Sequence, residues 1–283
     1  MSIAYLNGAF LPLSDARVSV LDRGFLFAEA IYEVAAVIDG RLIDSASHLA
    51  RLERSVAAID LALPLPLAQI EAAQKELVRR NGVNQGLVYL QATRGADITR
   101  DFLPPEGLEP TLFMFVQDKD FLNAPGARDG IAVATMADQR WARRDIKSTG
   151  LLAQVMAKRA AHAAGAQEAW MVEDGFVTEG ASSTAFILTE EGVVTRPYSQ
   201  QVLAGCTGLA LAALAQESGI AVVRRPFTVA EALGAREAFI ASASTLCQSV
   251  VRIDGQTIGD GRPGPVAMRL RELYIDFARR TAV

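Results

Sequence analysis

The sequence predicts an α+β fold in two domains, with much antiparallel sheet. Three observations carry that prediction. Two-residue turn signals flanked by apolar residues recur along the chain, amphipathic helical patterns lie between them without strict strand–helix alternation, and a polar break containing Pro125 and Gly126 falls between Gln117 and Gly130. Asn-Gly and Asp-Gly tolerate the positive φ angles that tight hairpins need, so each such pair between apolar runs marks a hairpin. Hairpins mixed with helices are the signature of α+β folds.

Taken in order, the first hairpin turns at Asn7-Gly8 in AYLNGAFL and the second at Asp39-Gly40 in AAVIDGRLI. A helix follows over Ser47–Leu61, with Leu49, Leu52, Val56 and Ile59 at spacings of three and four. Leu67–Asn81 repeats that pattern and stops at Gly82, a good left-handed cap. The break at 119–130 reads as a linker. It separates a smaller N-terminal domain, 1–118, from a larger one, 131–283, which opens on the alternating strand IAVATM. A cleft between domains commonly takes a small molecule. Helices are expected over Thr149–Ala164, Thr207–Ser218 and Pro265–Arg280, and further hairpins at Asp174-Gly175 and Asp254-Gly255.

Composition narrows the function classes. The 283 residues are 51% hydrophobic and 21% charged, which suits a globular chain with a sizeable core. A formal net charge of −4 argues against nucleic acid as a partner. The two cysteines, Cys206 and Cys247, and the two histidines, His48 and His162, form no CxxC or HExxH, so no metal site is expected. No signal peptide and no apolar run of membrane-spanning length is visible, and a cytoplasmic location is expected.

Some residues stand out chemically. Lys147, in RRDIKSTGLL, is close in sequence to Arg143 and Arg144, and neighbouring cations lower a lysine's proton affinity and make it nucleophilic. Glu179 lies in FVTEGASST, where small residues let backbone approach a ligand. His48 and Arg51 stand three apart in HLAR and share one side of a helix, where they can hold an anion. Gly205-Cys206-Thr207-Gly208 opens a helix, a natural seat for phosphate. Each of these has a bland reading too: exposed lysine, turn glutamate, helix surface pair, ordinary N-cap. Singly they name no function.

Their order does. LNGAF, DRGFLFAEAIYEV, HLARLERS, QATRG, RWARRDIKS, EAWMVEDGFVTEGASST, LAGCTG, RPFTVAEA and IASAST follow one another along the chain. In this the chain resembles the fold-type IV pyridoxal-phosphate aminotransferases, most of all the D-amino-acid transaminases. The resemblance implies transamination between a D-amino acid such as D-alanine and a 2-oxo acid such as 2-oxoglutarate, by a ping-pong mechanism with pyridoxal 5′-phosphate (PLP) as cofactor. It implies that Lys147 carries the cofactor and shuttles the proton, and that Glu179 pairs with the pyridine nitrogen. Arg51, Thr207 and the backbone at Cys206 would hold the phosphate, with Ser242 supporting that side. Leu203 would pack on the ring, and Ser182 would contact cofactor or substrate. Tyr32 would lie near the reacting centre and Glu33 beside Lys147. Arg100 would bind the substrate carboxylate from the partner subunit of a homodimer.

The chain departs from that pattern. Ala28 and Ala30 stand where the family usually carries glycines, and Ala181 and Ala243 replace hydroxyl residues. In TRGADITRDF, Phe102 occupies the place of the histidine that usually follows the carboxylate-binding arginine, so the carboxylate trap is incomplete or rebuilt. The alternatives are an (R)-selective amine transaminase, a branched-chain aminotransferase, an aminodeoxychorismate lyase and a non-catalytic cofactor-binding protein.

Overall fold

The computed structural model describes residues 2–283 and forms two compact units. The first unit runs through Asp120 and takes in Ile146–Gly150 and Thr281–Val283 as well; the second comprises Phe121–Asp145 and Leu151–Arg280. Lys147 therefore belongs to the first unit, although its place in the sequence falls within the predicted larger domain, 131–283.

The first unit contains β1 (Ile3–Leu6), β2 (Ala9–Pro12), α1 (Arg23–Phe27), β3 (Ala30–Ile38), β4 (Arg41–Leu42), α2 (Ser45–Ala57), α3 (Leu67–Asn81), β5 (Gln85–Thr93) and β6 (Thr111–Asp118). Its sheet has the order β2-β1-β6-β5-β3-β4 and every pairing is antiparallel. The β1–β2 and β3–β4 hairpins turn where the sequence predicts. Asn7 and Gly8 take φ of 47° and 92°, and Asp39 and Gly40 take 53° and 73°, the left-handed values such turns require. Alternation along the strands sends Ile31, Ala35, Val37, Val88, Leu90, Leu112 and Met114 into a core shared with Leu49, Leu52 and Val56 of α2 and Ile70 and Leu77 of α3.

The second unit contains α4 (Pro125–Asp129), β7 (Ile131–Ala137), α5 (Leu152–Ala163), β8 (Glu168–Glu173), β9 (Phe176–Gly180), β10 (Thr184–Thr189), β11 (Gly192–Thr195), α6 (Cys206–Glu217), β12 (Val222–Arg224), α7 (Val229–Leu233), β13 (Glu237–Ser242), β14 (Leu246–Ile253), β15 (Gln256–Thr257) and α8 (Pro265–Thr281). Its sheet runs β12-β11-β10-β13-β14-β7-β8-β9, with β15 beside β14. The sheet is mixed. The pairs β11–β12, β7–β14 and β7–β8 are parallel; α6 and α5 serve as crossover helices for β11–β12 and β7–β8. The predicted hairpins at Asp174-Gly175 and Asp254-Gly255 are both present. Within the predicted linker, Pro125–Asp129 forms a short helix.

One helix begins later than its pattern predicts. α5 starts at Leu152 and not at Thr149. Residues 147–149 cannot be helical because their backbone is bonded to β3: the Tyr32 N–H donates to Lys147 O and the Thr149 N–H donates to Ala30 O, both at 3.0 Å.

A buried charge cluster ties α2 to β3. Glu33 is 2% exposed, and its two oxygens accept from Arg51 Nε and Nη2 at 2.7 and 2.8 Å, while His48 Nδ1 lies 2.7 Å from Oε2. The anion that the HLAR pair holds is thus the chain's own carboxylate. Burial alone would raise the Glu33 pKa, but the bonds and charge of Arg51, with His48, outweigh it and hold the carboxyl down at about 2.

Removing the charge leaves Arg51 buried without its counterion, so Glu33→Gln is expected to lower stability by about 3 kcal/mol at neutral pH. A carboxylate whose folded-state pKa is depressed contributes stability above its ordinary value and loses it as protons bind. The gap between wild type and Glu33→Gln should therefore hold above about pH 5 and close as pH falls toward 2. Urea unfolding at a series of pH values measures this, and a gap that does not change with pH refutes it.

Candidate active site

Lys147 owes its place to an unsatisfied strand edge. β5 pairs with β3 along the whole of one edge, while β4 covers only Val37 and Ile38 on the other. The open end of that edge, Ala30–Tyr32, is taken by residues 147–149 as a short added strand, with Ile31 bridged to Ser148. This register sets Lys147 opposite Tyr32, on the same face. Nζ stands 4.0 Å from the centre of the Tyr32 ring, and the Lys147 N–H donates to Ser55 Oγ of α2 at 3.3 Å. Among the described residues the amine enters no ion pair, so no carboxylate competes for it. The expected neighbour Glu33 forms no ion pair with Lys147. Successive strand residues point to opposite faces, and Glu33 goes to Arg51 and His48.

The Tyr32 face of the sheet is aromatic. Tyr32 stacks on Tyr89 at 5.8 Å, Tyr89 meets Phe115 at 5.1 Å, and Phe113 continues the row at 5.7 Å. The Tyr89 hydroxyl donates to Gln91 Oε1 at 2.7 Å, and burial, with Tyr32 nearby, pushes its pKa up to about 12. Sequence reading missed this row. Its signal was the period of two that sends Val88, Leu90 and Ala92 inward and leaves Tyr89 and Gln91 on the other face.

In the second unit, Glu179 ends up at the heart of a charge network. β9 carries it to a position 6% exposed, where Oε1 meets Arg140 Nη1 at 2.5 Å and the Leu203 N–H lies 3.2 Å from both oxygens. Arg140 also grips Asp138 with Nε and Nη2, at 3.0 and 2.7 Å. Arg144 reaches Asp138 at 3.3 Å and forks onto Glu173 at 2.9 and 2.6 Å. Asp138 is shared by the two guanidiniums, and Arg196 adds its charge near Glu173. Burial raises the Glu179 pKa, and the pull of Arg140 does not undo that rise. Arg140 and Asp138 were not singled out in the sequence, although both lie in the stretch that leads to Lys147.

The start of α6 is built for an anion. Its N-cap, Gly205, supplies no side-chain bond, so the first backbone N–H groups depend on something else. Gly205 and Gly208 press against β10: a Cβ on either would stand 2.6 or 3.0 Å from Thr184 Oγ1. Thr207 is 2% exposed and its Oγ1 lies 3.5 Å from the Tyr274 hydroxyl. Cys206 is buried beside it as a free thiol. α6 packs on β13, which ends at Ser242 in a hydroxyl cluster with Thr245 at 2.7 Å and Ser244 at 3.3 Å. Ser182, by contrast, donates to Glu168 Oε2 at 2.8 Å.

Arg100 lies in an exposed loop of the first unit, with its guanidinium 4.9 Å from the Phe27 ring and 5.7 Å from Phe102. The residue in the histidine's place is thus one wall of an aromatic bracket around the arginine.

The chain matches the family model for amino-transferase class IV over residues 30–253. It is 34% identical to a D-alanine aminotransferase of Staphylococcus haemolyticus, with 96% of each chain covered, and 36% identical to one of Bacillus licheniformis, with 94% and 93% covered. Among solved structures, the branched-chain amino acid aminotransferase of Escherichia coli superposes with a TM-score of 0.91 at 21% identity over 98% of this chain and 94% of that one. A hypothetical aminotransferase of Mycobacterium tuberculosis, in its PLP-bound form, superposes with a TM-score of 0.84 at 24% identity over 98% and 99%. A backbone that holds a lysine amine clear of carboxylates, and a family model that covers most of the chain, lead to one conclusion: the chain belongs to the class IV aminotransferases.

Proposed function

We propose that the protein transfers an amino group between a D-amino acid, such as D-alanine, and a 2-oxo acid, such as 2-oxoglutarate, with pyridoxal 5′-phosphate as cofactor. The observation that carries this reading is the match, over nearly the whole of both chains, to relatives named D-alanine aminotransferases. The chain's own chemistry fits the cofactor. The Glu179 carboxylate, buried and held by Arg140 and the Leu203 N–H, suits a protonated pyridine nitrogen. The uncapped N-terminus of α6, with Thr207, suits a phosphate. When bound, the cofactor supplies an aldehyde that takes up the amino group and a ring that draws electrons from the substrate α-carbon.

The remaining work falls to side chains. Lys147 Nζ would hold the cofactor and would accept the substrate α-proton and redeliver it. Tyr32, beneath Nζ, orients the amine. Glu179 would keep the ring nitrogen protonated, and Leu203, whose N–H holds Glu179, would pack on the ring. Arg51, Thr207, the Cys206 backbone and Ser242 would hold the phosphate, and Glu33 holds Arg51 in place. Ser182 acts through the turn around it, and Arg100 binds the substrate carboxylate. The donor leaves as an oxo acid before the acceptor enters, so the reaction is ping-pong.

The reading extends to a cytoplasmic homodimer in which Arg100 serves the partner subunit's site. Val20, Phe25, Ile98, Phe102 and Leu103 are all more than 70% exposed on the first unit, an apolar surface that a second copy would cover. Among the described residues no helix is long and apolar enough to cross a membrane.

A donor panel tests the substrate class. D-alanine, L-valine and (R)-1-phenylethylamine are each offered with 2-oxoglutarate; D-alanine is expected to turn over best, and turnover of the amine without D-alanine overturns the assignment. Lys147→Ala is expected to abolish transamination and to remove the visible absorbance of the covalently held cofactor, because no other amine is placed to substitute. Retained absorbance and activity would remove Lys147 from its role.

A further inference from the structure

The far end of the loop that carries Arg100 is held by a side chain that the reaction does not use. Arg23, in α1, is 3% exposed. Its backbone N–H donates to Gly95 O at 2.8 Å, at the start of the loop. Its Nη1 donates to Asp101 O at 2.6 Å and its Nη2 to Phe102 O at 2.8 Å, immediately after Arg100. Nε pairs with Glu29 Oε2 at 2.5 Å, and the other oxygen of Glu29 takes Arg94, whose Nη1 donates to Asp60 O at 2.9 Å. The Arg23 guanidinium lies 4.8 Å from the centre of the Phe27 ring that also faces Arg100, and Phe27 and Phe102 are 5.5 Å apart. The side-chain bonds made inside the loop are local: Asp97 with Ile98 and Thr99, and Asp101 with Leu103.

We propose that Arg23 is the positioning residue for Arg100: by holding both ends of the loop it sets where the carboxylate-binding guanidinium stands, and so sets the affinity for amino and oxo acids, without touching substrate or cofactor. This rests on the reading of Arg100 as the carboxylate-binding residue. The geometry needs an arginine. Only a planar fork bonds two successive carbonyls while its third nitrogen pairs with a carboxylate and its face lies on a ring; a lysine keeps the charge and loses the fork.

The test compares holoenzymes with D-alanine and 2-oxoglutarate. Arg100→Ala is expected to raise KM about tenfold or more, the scale of a lost hydrogen bond to a charged group. Arg23→Lys is expected to raise KM roughly three- to tenfold and to leave kcat within about twofold, since uniform binding alone is weakened. The absorbance of the bound cofactor stays at its wild-type value, while amide hydrogen exchange over residues 96–103 speeds up. Arg23→Gln, which keeps one donor, gives the same pattern and serves if the lysine variant does not fold. The double variant, Arg23→Lys with Arg100→Ala, shows the KM of Arg100→Ala alone, because positioning matters only when there is a guanidinium to position. An unchanged KM in both Arg23 variants, or effects that multiply in the double variant, overturns the proposal while the role of Arg100 stands. An unchanged KM in Arg100→Ala sinks the reading of Arg100 and the proposal with it.

Discussion

The open end of one strand edge organises the first unit. β3 is paired along one side by β5, but β4 is so short that Ala30–Tyr32 would be left with unsatisfied backbone groups. Residues 147–149 supply those partners. Everything distinctive about Lys147 follows from that pairing. The pleat faces it toward Tyr32, its backbone is pinned by Ser55, and the following helix is delayed to Leu152. A main-chain register, which has no rotamer freedom, thus places a side chain whose chemistry depends on position.

Charge is handled differently in the two units. Around Glu33 the pairing is complete: a bidentate arginine and a histidine surround one carboxylate, and its pKa falls. Around Glu179 it is weaker: Arg140 is shared with Asp138, burial outweighs its pull, and the pKa rises. The same residue type is held ionised in the first setting and pushed toward its neutral form in the second. What separates them is the number of counterions within reach, since both are buried.

Much of the fold was legible because local chemistry dictated it. The Asn7-Gly8, Asp39-Gly40, Asp174-Gly175 and Asp254-Gly255 turns all form hairpins, and the helix over Leu67–Asn81 has the predicted bounds. What escaped was non-local. The parallel pairs of the second sheet join strands far apart in sequence, and the assignment of 146–150 to the first unit depends on an edge more than a hundred residues upstream. The site divides in the same way. Lys147, Glu179 and the α6 start stood out by residue type and position, whereas Arg140, Tyr89 and Arg23 gain meaning only from what they touch.

The hold of Arg23 on its loop is made to main-chain oxygens at 95, 101 and 102, through its own N–H and its guanidinium. Such a support is blind to side-chain identity. Residues 96–99 can change in size and polarity without disturbing the bonds that Arg23 makes to the backbone on either side of them. The carbonyl of Phe102 is held in this way whatever side chain stands at that position.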